Sequence, residues 1–244
     1  MKRTLCLAAA IFLALLSPCQ AGFLSDFADR IFSPAQPQVS LDNTTIVKGL
    51  KEALATGTER AVAEVARPDG YFGNEMIKIL LPDKVQKAAD LLGTLGYRQQ
   101  VDTVVLTMNR AAEKAAPQAA RFFGDAIRQM SVEDAKGILS GGDTAATDYF
   151  DRKTRAQLFA AFKPTVVKSM DQVGTARAYK EMLGTYDVTP FAALAGVPSL
   201  DLDDYVTNKA LDGLFKMVAA EEKKIRTNPA ARTTDLLRTV FGGK

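Results

Sequence analysis

The chain has 244 residues, with 31 Lys and Arg against 28 Asp and Glu, two Cys, and neither His nor Trp. Its basic and acidic residues alternate along the chain, which argues against nucleic-acid binding, since that function requires an excess of Lys and Arg gathered on one face. The length suffices for one large or two small domains with a hydrophobic core.

Residues 1–21 have the layout of a secretory signal peptide. A positively charged start precedes an apolar run from Leu5 to Leu16, and Ala21 supplies a small residue for cleavage. This run is too short for a transmembrane helix, and no later stretch reaches eighteen apolar residues. We therefore expect an exported chain, periplasmic or secreted, without a transmembrane helix after cleavage.

Cleavage after Ala21 removes Cys6 and Cys19, the two cysteines of the chain. Lipidation of Cys19 is the less favoured alternative, because Pro18 stands where that processing requires a small, flexible residue. The exported chain then has no thiol and no imidazole, so the commonest metal ligands, general bases and nucleophiles are missing. Two of the 31 basic residues and none of the 28 acidic ones leave with the signal, which gives a balance of 29 to 28. We expect no metal site, no cofactor, no nucleic-acid partner and no catalytic residue, and we lean towards a protein that is not an enzyme.

Residues 22–41 are predicted to form a short amphipathic helix followed by a linker. Phe23, Phe27 and Ile31 recur every four residues, and SPAQPQVS follows with two prolines. The helix can fold back on the core, which we favour, or contact a partner or a membrane surface. Its aspartates argue against anionic lipid.

Helical periodicity dominates from residue 42 onward, and strand-like alternation is nearly absent. The sequence predicts a single all-α domain over residues 42–244, a bundle of about eight to ten helices without a substantial sheet. The predicted helices cover residues 42–66, 74–81, 83–95, 97–130 with a kink or a division at Pro117, 131–139, a helix that starts near residue 143, 154–162, 164–173, 175–183, 202–225 and 228–241.

Two helix starts carry specific capping patterns. Ser131 and Asp134 resemble a capping box for the helix that ends near Leu139. Asp201, with the two aspartates that follow it closely, is expected to cap the helix over residues 202–225. These carboxylates lack the loop glycine and the distal glutamate of a calcium-binding EF-hand.

The segment ILSGGDTAATDYF (residues 138–150) is the first candidate site. Its two glycines can adopt positive φ and end one helix, and Asp143 can then cap the next helix by bonding the amides near Ala145 and Ala146. Alternatives are an anion-binding loop, disfavoured because no strand precedes it and no Lys follows it, and a contact with a partner. Tyr149 and Phe150 fit packing in the core. The candidate ligand or partner residues here are Gly141, Gly142, Asp143, Thr144, Asp148 and Tyr149.

Asn109, Arg110 and Glu113 form the second candidate site. Asn109 and Glu113 are four residues apart beside the apolar face of a predicted helix, so they can bond to each other or to a facing helix. Such a pair can hold a ligand or act as an acid and base; we favour a structural role that fixes the helix register.

Tyr71, Phe72 and Asn74 form the third candidate site, on the glycine-flanked turn DGYFGN. The two aromatic residues can line a cleft or plug the end of the bundle. The sequence leaves both interpretations open.

These motifs together resemble a known family. GLKEAL near residue 50, GYFGN followed by IKILLP, MNRAAEKAAP, ILSGGDTAATDYF and the closing IRTNPAARTTDLLRTVFG are similar to exported bacterial proteins catalogued as domain of unknown function 4197. The resemblance covers residues 45–242 and implies a helical, periplasmic or surface-associated domain. It brings no activity, substrate or catalytic residue.

Three functions follow from these observations. The favoured one is a non-catalytic extracytoplasmic protein that binds an envelope protein or stabilises the envelope. The second is a carrier of an apolar, lipid-like small molecule, in a cavity lined by the aromatic residues of the first and third sites. The least favoured is a hydrolase that uses paired carboxylates, for which the candidates are Glu113, Asp143 and Asp148.

Overall fold

The computed structural model describes residues 43–172 and 201–228, and within these ranges the chain is helical with no β-strand. The predicted all-α class is confirmed. The predicted signal peptide, residues 22–41, the predicted helix over residues 175–183, most of the connection that follows it, and the last predicted helix beyond Asn228 lie outside the described residues.

The α-helices within the described ranges differ in length from 9 to 28 residues. They are fewer than the eight to ten predicted for the whole chain, partly because some predicted helices fall outside those ranges. In chain order they are α1 (Asn43–Ala66), α2 (Asp83–Leu92), α3 (Arg98–Ala115), α4 (Ala119–Gln129), α5 (Val132–Ser140), α6 (Ala145–Gln172) and α7 (Leu202–Thr227).

Helices α6 and α7 pack against each other as an antiparallel pair, and α6 also packs on α3 while α7 packs on α1. Within α7, every fourth residue from Val206 to Val218 contributes to the core. Val206, Ala210, Leu214 and Val218 are all buried. These positions form one stripe of a helix with 3.6 residues per turn, which explains how a helix with many charged residues lies against three neighbours.

Local capping starts two helices as predicted. The Ser131 hydroxyl accepts from the amide of Asp134 at 3.0 Å, and the Asp134 carboxylate accepts from the amide of Ser131 at 3.1 Å, which completes a capping box for α5. Asp201 caps α7 by accepting from the amides of Asp203 and Asp204. Pro117 lies in a 3₁₀ turn, Ala116–Gln118, that divides α3 from α4.

Helix α2 continues into a π-helical turn, Gly93–Tyr97, before α3 begins. Gly96 in this turn has a φ of 95°, a conformation that only glycine adopts without cost, so the predicted helix stop at Gly96 is confirmed. Leu91, Leu95 and Tyr97 are exposed around this turn.

The predicted break at Pro164 is wrong, because α6 runs without interruption from Ala145 to Gln172. A proline inside a helix removes one hydrogen bond and costs about 3 kcal/mol. The helix continues because its large apolar residues at four-residue intervals, Leu158, Phe162, Val166 and Met170, are all buried. Each such side chain contributes about 1.5–3 kcal/mol, which exceeds the cost of the proline in sum.

The predicted helix over residues 74–81 is also wrong. One turn forms after Asn74, and residues 78–82 then run outside any helix until α2 begins. Burial alternates along them, since Ile79 and Leu81 are buried and Leu80 between them is exposed. This period of two is that of extended backbone. We call residues 78–82 the extended segment; it follows the turn at residues 75–77.

Among the described helices, none combines the length and the hydrophobicity that crossing a membrane requires.

Candidate functional site

Asn109 on α3 holds the extended segment in place. Its side-chain oxygen accepts from the amide of Ile79, and its side-chain nitrogen donates to the carbonyl of Ile79, both at 2.8 Å. These are the two bonds that a neighbouring strand would supply, so a buried amide side chain satisfies both backbone groups of a residue that is only 2 % exposed.

Asn74 shapes the turn that leads into the extended segment. Its side-chain oxygen accepts from the amide of Met76 at 3.1 Å, and its backbone carbonyl accepts from the amides of Ile77 at 3.1 Å and Lys78 at 2.8 Å. Asn74 thus caps a single turn, and the chain extends immediately afterwards.

Glu113 holds the turn that precedes Asn74. One carboxylate oxygen accepts from the backbone amides of Tyr71 at 3.1 Å and Phe72 at 3.2 Å, and the other accepts from Arg110 at 2.6 Å. Arg110 also donates to Asp69, whose φ of 62° lies in the left-handed region. This buried carboxylate therefore stabilises a strained turn by satisfying backbone amides, as its helix neighbour Asn109 does for the extended segment.

Tyr71 plugs the bundle, and Phe72 remains half-buried above it. The Tyr71 hydroxyl donates to the carbonyl of Ala210 at 2.6 Å, and burial, with a smaller effect of the Glu113 charge, raises the pKa of Tyr71 far above its usual range. The ring fits because residue 213 is glycine; a Cβ there would lie 2.7 Å from the ring carbon Cε1. The sequence left open whether the aromatic residues of this turn line a cleft or fill the end of the bundle, and Tyr71 fits the second interpretation.

The segment 138–150 begins α6, but not by the predicted capping. The amides of Ala146 and Thr147 donate to the carboxylate of Glu222 at 3.0 and 2.9 Å, and the Thr147 hydroxyl donates to the same group at 2.8 Å. The amide of Ala145 donates to the carbonyl of Gly142, so none of these amides donates to Asp143 and its predicted function as the cap is wrong. A carboxylate brought by α7 outcompetes it, because that carboxylate is buried at the helix start and is shared with Arg226.

The predicted left-handed helix end at Gly141 is wrong as well. Gly141 has φ −78° and ψ 177°, which is ordinary extended backbone. Glycine is nevertheless required there, since a Cβ would lie 2.5 Å from the Cβ of Ala145. Tyr149 and Phe150 pack in the core as predicted, and Tyr149 donates its hydroxyl to the carbonyl of Ala126.

An open groove of about 580 Å³ lies between the extended segment and the start of α6, with α7 as its floor. Met76 and Leu80 form its rim and are 64 % and 54 % exposed. The floor presents one stripe of α7 with residues three to four apart, namely Tyr205, Lys209, Asp212, Lys216 and Ala219. The facing wall is polar and consists of Thr144, Thr147, Asp148 and Arg155.

The groove brings together only part of the residues singled out from the sequence. Thr144 and Asp148 line it, whereas the other sequence candidates lie around or beneath it and are not among its lining residues. The residues that sequence reasoning missed are Glu222 and the exposed stripe of α7. Glu222 lies in AAEEKKIR, a run of charged residues that is typical of a solvent-exposed helix surface, so its local sequence does not indicate a buried carboxylate.

Some charged side chains of the groove have a partner of opposite charge and others do not. Arg155 donates to Asp212 at 3.0 Å and is also paired with Asp151. Within the described ranges, Lys78, Lys209 and Lys216 have no carboxylate partner, although Lys216 approaches the carbonyl of Met76 at 3.4 Å. No three Asp, Glu, His or Cys side chains in these ranges gather as metal ligands would.

A small apolar cavity lies between α1, α5 and the end of α7. It is lined mainly by Leu50, Leu54, Ile138 and Ile225 and has a volume of about 20 Å³. This is room for about one water molecule, far below what a lipid chain needs.

A family model described as protein of unknown function (DUF4197) matches residues 40–242, which is most of the chain. No curated protein and no solved structure shows a significant match.

Proposed function

The chain belongs to the DUF4197 family, and we propose that it is a non-catalytic, extracytoplasmic binding protein that holds a partner protein in the groove above α7. The observation that carries this proposal is the exposed apolar rim of Met76 and Leu80 on a segment that the core holds in place. Exposed apolar side chains beside a concave surface are typical of binding sites.

Rigidity of the rim supports binding. Leu80 lies next to Ile79, which Asn109 fixes by two bonds, and its own carbonyl accepts from the Tyr205 hydroxyl at 2.9 Å. A preformed surface loses little conformational entropy when a partner docks, so more of the contact energy appears as affinity.

The use of the buried carboxylates supports a function without catalysis. Glu113 and Glu222 each bind two backbone amides and one arginine, so neither is available to transfer a proton to a substrate. Glu113 lies beside Pro68 and Lys114, in a depression separate from the groove that Asp148 lines. The paired carboxylates of a glycosidase must share one cleft.

Export is proposed from residues 1–21 alone. Amino-terminal sequencing of the protein purified from its host should give a chain that begins at Gly22. A chain that still begins at Met1 and fractionates with the cytoplasm would contradict this part of the proposal.

Photocrosslinking tests the binding function. A photoreactive phenylalanine analogue replaces Met76 or Leu80 in the groove and, as a control, the exposed Lys136 on α5. We expect one protein to be crosslinked from both groove positions and not from the control. That protein is then purified and titrated with the wild type and with Leu80→Asp, which should weaken binding. Crosslinks of the same intensity from all three positions, or none from the groove, would contradict the proposal.

A further inference from the structure

We infer, resting on the proposed function, that the groove accepts an extended segment of the partner with a central acidic side chain, which pairs with residues 78–80 as an added parallel strand. Strand addition to an open edge is a recurring mode of peptide recognition, in which backbone bonds give affinity and pockets for alternate side chains give specificity. The inference rests on the backbone groups of the extended segment and on the unpaired charges of the floor.

The edge of the extended segment that faces α7 has two open backbone groups. In extended backbone, the groups of Ile79 point to one edge and those of its neighbours point to the other. Asn109 occupies the Ile79 edge. On the other edge, the carbonyl of Lys78 and the amide of Leu80 have no hydrogen-bond partner among residues 43–172 and 201–228.

The bonds on either side of this pair show which way that edge faces. The carbonyl of Met76 is approached by Lys216 at 3.4 Å, and the carbonyl of Leu80 accepts from Tyr205 at 2.9 Å. Both donors belong to the groove floor. The open carbonyl and amide therefore lie along the groove, between two groups that α7 already binds.

The spacing of the open groups selects a parallel partner. In a parallel ladder, one residue of the added strand donates to the carbonyl before its opposite residue and accepts from the amide after it. With Ile79 as the opposite residue, those groups are the carbonyl of Lys78 and the amide of Leu80. An antiparallel partner would instead bond both the amide and the carbonyl of one residue, either Lys78 or Leu80. The amide of Lys78 already donates to Asn74 at 2.8 Å, and the carbonyl of Leu80 already accepts from Tyr205 at 2.9 Å.

The same register sets the chemistry of the partner. Residues opposite each other in a sheet point to the same face, so the ligand residue opposite the buried Ile79 points down to the floor of α7. Lys209 and Lys216 stand there without a carboxylate partner in the described ranges. An acidic side chain complements them. The residues on either side of it point outward, opposite Lys78 and Leu80, and the one opposite the exposed Leu80 is expected to be apolar.

Three carboxylates also line the groove, and none of them forms an ion pair with Lys209 or Lys216. Asp212 is paired with Arg155, Asp148 accepts from the Thr144 hydroxyl at 3.3 Å, and Asp83 follows the end of the extended segment. Among the described residues of the floor, Lys209 and Lys216 are therefore the charged groups that remain for an acidic ligand.

Binding of the full-length protein to arrays of short random peptides tests the inference. One array has Glu fixed at the central position, and matched arrays have Gln or Lys there. We expect the Glu array to retain the protein most strongly. The tightest peptide is then synthesised with a single N-methyl group at each position in turn, which removes one backbone amide without changing the side chain. Methylation of the central residue should weaken binding about tenfold, since it removes the donor to Lys78.

Variants of the protein separate the backbone bond from the side chain. Leu80→Pro removes the open amide, and extended backbone accepts proline without loss of an internal bond. Leu80→Ala, its matched control, keeps the amide and loses the same apolar contact. We expect Leu80→Pro to bind about tenfold more weakly than Leu80→Ala at equal thermal stability. Lys209→Gln and Lys216→Gln should each weaken binding about threefold, whereas Lys223→Gln, at an exposed position of α7 outside the groove, should not.

The peptide experiments test strand pairing with an acidic ligand, and the crosslinking experiment tests the proposed binding function separately. No peptide bound by any array, or a preferred Lys array, overturns the acidic extended ligand. A tight peptide that tolerates central N-methylation and the Leu80→Pro variant overturns strand pairing. Neither result affects the crosslinking test, so a groove-specific partner recovered there keeps the proposed function while this inference fails.

Discussion

Asn109 and Ile79 form a two-bond pair in which an amide side chain takes the place of a neighbouring strand, with both donor–acceptor distances at 2.8 Å. The pair lets an all-helical protein keep a short piece of extended backbone at its surface. The extended segment owes its conformation to this one residue of α3 more than to its own sequence.

Removal of that residue is expected to be costly. Asn109→Ala leaves the amide and the carbonyl of Ile79 buried without partners, which should lower the free energy of unfolding by about 2–4 kcal/mol, since each unsatisfied group costs about 1–3 kcal/mol. Urea unfolding measures the loss. Asn208→Ala is the control, because Asn208 is an exposed residue of α7 whose side chain donates to the carbonyl of Asp204. Equal losses in the two variants would refute the assigned role of Asn109.

The start of α6 gives a second prediction. Glu222→Ala frees two buried amides and the Thr147 hydroxyl and should destabilise the protein by about 2–4 kcal/mol. Asp143→Ala should change stability by less than about 0.5 kcal/mol, as exposed surface substitutions usually do. Thermal unfolding of both variants at neutral pH checks the order. A larger loss of stability for Asp143→Ala than for Glu222→Ala would show that Asp143 caps α6, as the sequence predicts.

Alanine substitutions at two glycines in different environments should change the free energy of unfolding in opposite directions. Gly213→Ala places a Cβ 2.7 Å from the Tyr71 ring and 3.2 Å from the Cβ of Ile77 and should cost about 1–3 kcal/mol. Gly137→Ala in α5 meets no atom within 4 Å and should stabilise by about 0.5–1 kcal/mol through helix propensity. Chemical denaturation of the pair measures both signs, and a loss in both variants would show that the space around Gly213 is not decisive.

The capping box of α5 should give a pH-dependent contribution. The pKa of Asp134 lies below its ordinary value of 3.8 because its carboxylate accepts from the amide and then the hydroxyl of Ser131. A lowered folded-state pKa stabilises the fold above pH 3.8, and this stabilisation is lost as the pH falls through the folded-state value. Asp134→Ala should therefore cost about 1 kcal/mol or less at pH 7 and progressively less in acid.

Equilibrium unfolding between pH 7 and pH 3 tests this trend. Asp102→Ala, at an exposed position of α3, is the control and should change the free energy of unfolding by less than about 0.5 kcal/mol at pH 7. A cost of Asp134→Ala that grows as the pH falls would contradict the sign.

Features that depend on near neighbours in the sequence were predictable. The existence of α7, the capping box at Ser131 and the helix stop at Gly96 all follow from the local sequence pattern. The family also followed from ordered motifs along the chain.

Features set by distant residues were not predictable. MIKILL is apolar at nearly every position, so a period of two and a helical period fit it equally, and the deciding residue, Asn109, is thirty positions away from Ile79. Asp143 is the obvious local cap for α6, yet Glu222 takes that position from 75 residues further along. In both places a tertiary contact overrides a local preference.

The closure of α6 by Glu222 has a consequence for the order in which the chain matures. The acceptor of the Thr147 amide lies 75 residues further along the chain, so until α7 is present the first amides of α6 can bond only to water. The acceptor of the Tyr71 hydroxyl, the carbonyl of Ala210, lies even further along the chain, at a separation of 139 residues. Folding is therefore completed from the carboxyl-terminal side, and a nascent chain that stops before α7 is left with an unfinished helix start and an unanchored tyrosine.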